Sequence, residues 1–180
     1  RLGLPLPTGK LPNHLLSGFL DGLAADPAVI VPPAVGEDVT ALELGGAELL
    51  VAHGDPITLG GEAVGRAAVQ VNANDIAAAG AEPRWLIATV LLPQGTTPSE
   101  ALTHLGDLAA AAAEAGVTLA GGHTEVTTAV GRPVVSLTAL GTMSRAELKD
   151  KRSARPSDRV FLTKALAIEL APYLVRVNAV

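Results

Sequence analysis

Apolar residues recur at helical spacing in three parts of the chain and alternate with polar residues in several others. The helical pattern predicts helices over Pro12–Ala25, Gly60–Gly80 and Pro98–Ala115. The Leu and Phe side chains of the first helix are predicted to lie in the core. The alternating or continuously apolar runs predict five strands, at Val39–Leu44, Glu48–His53, Arg84–Leu92, Val117–Ala120 and Arg132–Thr142.

The order of these elements from Val39 onwards is strand, strand, helix, strand, helix, strand, strand. This order predicts an α+β fold with a mixed, mainly antiparallel sheet and helices on one face. We predict that the opposite face is apolar and requires a cover, and we assign four side chains to it: Val51, Ala88, Val90 and Leu137.

Acidic residues cluster at one end of the first predicted hairpin. Gly45-Gly46 is the predicted turn, so Glu37 and Asp38 begin one strand while His53–Asp55 ends its antiparallel neighbour. Acidic groups brought together repel each other unless a cation screens them. Oxygen ligands without a thiolate favour magnesium, and the alternative is a solvated loop end that carries scattered acids.

Three further places carry candidate chemistry. Asn72 and Asp75 share one face of the second helix, where they either cap a neighbouring strand or face a cation or a phosphate. Gly121-Gly122-His123-Thr124-Glu125 follows a strand, and its glycines allow close approach of a ligand or a positive φ. Lys10 in the amino-terminal arm is either a solvated charge or a phosphate contact.

The overall composition excludes several classes of protein. The chain has 13 basic and 18 acidic residues, a formal charge of −5 and few aromatic residues, which disfavours nucleic-acid binding. It has no cysteine, so disulfides and thiolate chemistry are excluded. Since no uninterrupted apolar run reaches ~18 residues, no membrane span is predicted and a cytoplasmic location is expected.

The stretch VNANDIAAAGAEPRWL, Val71–Leu86, resembles a signature of the ATP-dependent superfamily of aminoimidazole ribonucleotide synthetase. Thiamine-monophosphate kinase, selenophosphate synthetase and the hydrogenase-maturation carbamoyl dehydratase belong to it. The resemblance covers roughly Thr8 to Thr163. Four more segments carry it in the usual order: Gly9-Lys10-Leu11, Gly36-Glu37-Asp38, His53-Gly54-Asp55-Pro56 and Gly121–Glu125.

This resemblance implies ATP and Mg²⁺ as cofactors, ATP-dependent oxygen activation or phosphoryl transfer, and a homodimer whose two sheets close into a barrel. It implies a small molecule or a protein-borne thiocarboxamide as the substrate. By position, Lys10 and His123 match catalytic residues. The implied metal ligands are Glu37, Asp38, Asp55 and Asp75, and the implied nucleotide contacts are Asn72, Gly121, Gly122, Thr124 and Glu125.

The expected domain organisation has four parts: an arm and helix over 1–34, the ATP- and Mg-binding domain over 35–143, a linker over 144–162 and a tail over 163–180. The tail resembles a helix and strand of short-chain dehydrogenases, and we expect the second domain of the superfamily to be absent. Two alternatives to ATP chemistry therefore stay open. One is an inactive dimerisation domain, and the other is binding of a nicotinamide cofactor through the tail.

Overall fold

The computed structural model describes residues 5–58, 63–148, 155–157 and 159. Over these ranges the chain forms three α-helices, one short 3-10 helix and five strands. The helices are α1 (Asn13–Leu20), α2 (Val64–Ala78) and α3 (Pro98–Glu114). The strands are β1 (Thr40–Glu43), β2 (Glu48–Ile57), β3 (Glu82–Pro93), β4 (Thr118–Thr127) and β5 (Val134–Ser144). The tail and Gly60-Gly61 lie outside the described residues.

The five strands form one sheet in the order β1-β2-β5-β3-β4. All neighbouring strands are antiparallel except β3 and β4, which are parallel because α3 connects them as a crossover. The predicted α+β architecture and the predicted order of elements are therefore confirmed. Gly45 takes a φ of 83° in the hairpin between β1 and β2, which a side chain would disfavour.

α2 and α3 pack side by side on one face of the sheet, with the Gly65 backbone against Leu108. α3 begins at Pro98, as the sequence predicts, and the structure adds a capping box between Thr97 and Glu100. Hydrogen bonds from the backbone N–H and the hydroxyl of Thr97 hold the pKa of Glu100 below its usual value. None of the helices in the described ranges combines the length and apolar character of a membrane span.

The prediction of which sheet face the helices cover was wrong. Val51, Ala88, Val90 and Leu137 are buried beneath α2 and α3, each at 5% exposure or less. The register pairs Val51 with Gly141, and a side chain at Gly141 would meet Ile76 of α2, which fixes the covered side. The opposite side, here called the open face, carries Leu50, Ala52, Ile87, Thr89, Leu91 and Leu140. Apolar side chains lie on both sides of β3, so alternation along that strand does not tell the faces apart, although β5 places Ser136, Thr138 and Thr142 on the open face.

Two further predictions require correction. The helix α1 contributes nothing to the core: it has no buried residue, and Phe19 is 65% exposed. It is also shorter than the predicted helix over Pro12–Ala25. β4 is an edge strand of ten residues rather than the four predicted at Val117–Ala120, and its residues from Ala120 to Val126 are exposed. The other edge, β1, is covered, because Val29 bridges to Leu42.

Candidate functional site

Polar side chains from β2 and α2 meet between the sheet and the helix. His53 and Asp55 point from β2 toward α2, because they share the parity of buried Val51. Asp75 projects from α2, and its Oδ2 lies 2.9 Å from His53 Nε2. One ligand atom from each of the three side chains lies within 4.8 Å of the others. We call this group the His53–Asp55–Asp75 cluster.

Asn72 holds the cluster in place. It is fully buried one turn before Asp75, and its Oδ1 accepts a hydrogen bond of 3.0 Å from the Asp55 backbone N–H. Its amide nitrogen donates to the carbonyls of Asp55 at 3.3 Å and Ala68 at 2.9 Å. A buried amide with this set of partners fixes β2 against α2, which is the strand-capping role that the sequence left open.

His53 connects the cluster to the loop before β1. Its Nδ1 lies 2.5 Å from the backbone oxygen of Asp38. An open cleft of about 320 Å³ lies there, lined by the Pro33 loop and by Glu37, Asp38, His53 and Thr138. Two of the four predicted metal ligands, Glu37 and Asp38, therefore border the cleft that His53 lines. Glu37 is half-buried and Asp38 is exposed. The sequence reasoning did not select His53 as a site residue, although it stands two positions before Asp55.

The glycine-rich segment lies elsewhere in this chain. The register places Gly122 in one row with Ala88, Leu137 and Asp55, three strand spacings from Asp55. At ~4.8 Å per spacing this is about 14 Å. His123 and Glu125 pair with Thr89 and Leu91 and so belong to the open face, where His123 Nε2 lies 3.2 Å from Glu125 Oε2.

Of the two glycines, Gly122 is required by the sheet itself. Its φ is 155°, and a Cβ there would overlap the carbonyl oxygen of Ala88 on β3. A Cβ at Gly121 would enter open space. Thr124 pairs with Val90 on the helix side, beside a second cleft of about 330 Å³ between β4 and α3. Lys10 is exposed in the segment before α1.

The structure therefore brings together Asp55, Asp75 and Asn72, with Glu37 and Asp38 at the neighbouring cleft. It does not bring Gly121–Glu125 to that cluster within one chain. The ligand roles of all these residues, and of Lys10, stay predictions.

Comparisons with known proteins assign this chain to a family. The model of the AIR synthase related protein family, N-terminal domain, matches residues 24–143. Carbamoyl dehydratase HypE of Cupriavidus necator is 33% identical over 110 residues, which cover 60% of this chain and 31% of that protein. Selenide, water dikinase of Geobacter metallireducens is 29% identical over 170 residues, covering 92% of this chain and 48% of that protein.

Solved structures share the fold. The structure of a HypE–HypF complex superposes with a TM-score of 0.63 at 22% identity, covering 93% of this chain and 56% of that chain. HypE in complex with ATP superposes with a TM-score of 0.55 at 25% identity, covering 83% and 45%. The chain spans about a third to a half of the length of the two curated relatives. Because the family model matches well over half of it, this chain belongs to the AIR synthase related proteins and contains their N-terminal domain.

Proposed function

We propose that this domain binds ATP together with Mg²⁺ and serves an enzyme that uses ATP to activate an oxygen atom or to transfer a phosphoryl group. The observation that carries the proposal is the convergence of Asp55 and Asp75, from a strand and a helix, around a buried Asn72. Membership of the family supports it, as does the likeness to a HypE structure that contains ATP.

The donor atoms of the cluster fit the proposed ion. Mg²⁺ is commonly held by one or two carboxylates, with waters and substrate phosphates completing its coordination. Asp55 and Asp75 would supply the two carboxylates, and Glu37 and Asp38 border the cleft beside them. When bound, the ion would neutralise phosphate charge during transfer.

The protein itself fixes the positions of the Asp55 and Asp75 side chains before an ion binds. Asn72 binds both backbone groups of Asp55, so β2 cannot shift along α2 without breaking those bonds. His53 contacts the Asp75 carboxylate and binds the backbone at Asp38, so one ring joins α2 to the loop before β1. Pre-organised oxygens need little rearrangement when an ion arrives, which favours affinity.

We further propose that the domain forms a homodimer through the open face. Ile87 is 44% exposed there beside half-buried Leu91 and Leu140, and an exposed apolar patch of this kind favours a protein cover. The dimer would enclose His123 and Glu125 in the interface.

Calorimetry with ATP and Mg²⁺ tests the proposed function, with Asp75→Asn as the variant. Asn keeps the shape of the side chain and removes the charge, so we expect ATP affinity in the presence of Mg²⁺ to fall at least tenfold. Asp107→Asn is the matched control, because Asp107 is an exposed carboxylate on α3. Equal affinity in all three proteins would overturn the assignment of the metal site. No heat from the unsubstituted protein would leave the inactive dimerisation domain as the better description.

A further inference from the structure

The contacts of His53 indicate more than a tether, by which we mean a side chain that only joins α2 to the loop before β1. A backbone carbonyl oxygen can only accept a hydrogen bond, so the proton of the contact with Asp38 belongs to His53 Nδ1. In the neutral ring the lone pair then resides on Nε2. A hydrogen bond from Nδ1–H to a backbone carbonyl is also the arrangement that orients histidines whose other nitrogen binds a metal.

The direction and spacing of Nε2 match those of a ligand. Nε2 lies 2.9 Å from Asp75 Oδ2 and within 4.8 Å of a carboxylate oxygen of Asp55. Two ligands that sit ~2.1 Å from an ion, at right angles to each other, are roughly 3 Å apart. His53 is only 6% exposed, so its ring is held by the surrounding protein.

We infer that His53 Nε2 is a third ligand of the cation held by Asp55 and Asp75, and that it sets the ion preference of this chain. The inference rests on the proposed function, because it concerns the same site. An imidazole nitrogen adds affinity for transition-metal ions along the series from Mn²⁺ to Zn²⁺, whereas Mg²⁺ prefers oxygen alone. The cluster therefore favours Mn²⁺, Co²⁺ or Zn²⁺ over Mg²⁺ to a degree that two carboxylates alone do not.

Two substitutions separate a ligand from a tether. In His53→Asn, the side-chain amide can still donate to the Asp38 carbonyl from the position of Nδ1, but Nε2 is lost. In His53→Gln, a polar atom reaches the position of Nε2, but the donor to Asp38 is lost. A ligand role predicts that His53→Asn weakens Co²⁺ binding at least tenfold and Mg²⁺ binding less than threefold. A tether role predicts that His53→Asn changes neither ion and that His53→Gln weakens both equally.

The experiment titrates the full chain with CoCl₂ and MgCl₂ by calorimetry and records pulsed electron paramagnetic resonance with Mn²⁺. We expect nitrogen hyperfine coupling to Mn²⁺ in the unsubstituted protein and its loss in His53→Asn. The chain has four histidines, so the triple variant His14→Gln, His104→Gln, His123→Gln retains His53 alone. Nitrogen coupling in the triple variant assigns the ligand directly, even if His53→Asn fails to fold.

Each result bears on one of the two proposals. Absence of nitrogen coupling in the triple variant, or an unchanged Co²⁺ affinity in folded His53→Asn, overturns the ligand role of His53. The proposed function survives either result if Asp75→Asn still weakens ATP binding with Mg²⁺. Nitrogen coupling without any ATP binding would keep the metal site and overturn the proposed function instead. Failure of every divalent ion to bind overturns both.

Discussion

Single buried polar residues decide how this domain is arranged at the proposed site. Asn72 is fully buried in α2, and its cost of desolvation is offset by its three hydrogen bonds. Two of these bonds go to the backbone of one residue, Asp55. The position of Asp55, a candidate ligand, therefore depends on Asn72. The sequence also allowed Asn72 to be a ligand, but its side chain binds backbone groups instead.

Replacement of Asn72 by Ala measures this dependence. The substitution leaves backbone groups of Asp55 without their partner, and we expect a loss of about 1–3 kcal/mol in the free energy of unfolding. Denaturation by urea measures the loss, with Gln70→Ala as the control, because Gln70 is exposed on the same helix. The control should stay within about 0.5 kcal/mol of the unsubstituted protein. Similar stability of both variants would show that Asn72 does not hold β2.

The residues that sequence reasoning found and missed differ in a physical way. Asp55 and Asp75 could be selected from the sequence. A carboxylate at a strand end with other acids, or on a helix with an apolar face, indicates a cation or a polar partner. His53 was overlooked because its role depends on which nitrogen faces which neighbour, and that follows only from the contact with Asp38. Glu125 and His123 were assigned by motif to nucleotide binding and catalysis, and within one chain the strand order separates them from β2.

At the scale of elements, local signals identified the helices and strands well where one signal dominated. Thr97 and Pro98 predicted the start of α3 correctly, since capping chemistry is local. The covered face of the sheet was predicted wrongly, because β3 is apolar on both sides and its alternation does not show on which side α2 packs. The exposure of α1 is also a tertiary property, since its apolar spacing is helical whether or not a core is near.

The glycine pair in β4 allows a sharp test at this scale. Gly122→Ala would place a Cβ against the Ala88 carbonyl at a positive φ, so we expect a loss of about 3 kcal/mol or more in the free energy of unfolding. Gly121→Ala meets open space and should change stability by less than about 0.5 kcal/mol.

Thermal and urea denaturation of both variants give the comparison. Comparable stability of the two would contradict the tight β3–β4 contact. If Gly121→Ala is fully stable and yet loses ATP affinity, the first glycine serves the ligand while the second serves the sheet. The motif then combines two constraints that look identical in the sequence.

For the whole molecule, the two faces of the sheet differ in how they are covered. The helices α2 and α3 bury one face within this chain, whereas the open face leaves Ile87 exposed among its apolar neighbours in the described part of the chain. A stable interface typically buries ~800 Å² on each partner, which a five-stranded sheet face can supply. The proposed dimer therefore predicts that a charge on the open face separates the subunits without unfolding them.

Ile87→Glu places that charge on an exposed position in the middle of β3. We expect its dimer dissociation constant, measured by sedimentation, to rise at least tenfold, because a carboxylate would be desolvated at the interface. Val126→Glu is the matched control: Val126 is also β-branched, is 55% exposed and pairs with Leu92 on the helix side. A monomeric unsubstituted protein at micromolar concentration, or equal dissociation by both variants, would contradict the open face as the interface. Ile87 is already exposed in the single chain, so we expect its replacement to leave the fold unchanged. A loss of the dimer would then be caused by the charge on the open face.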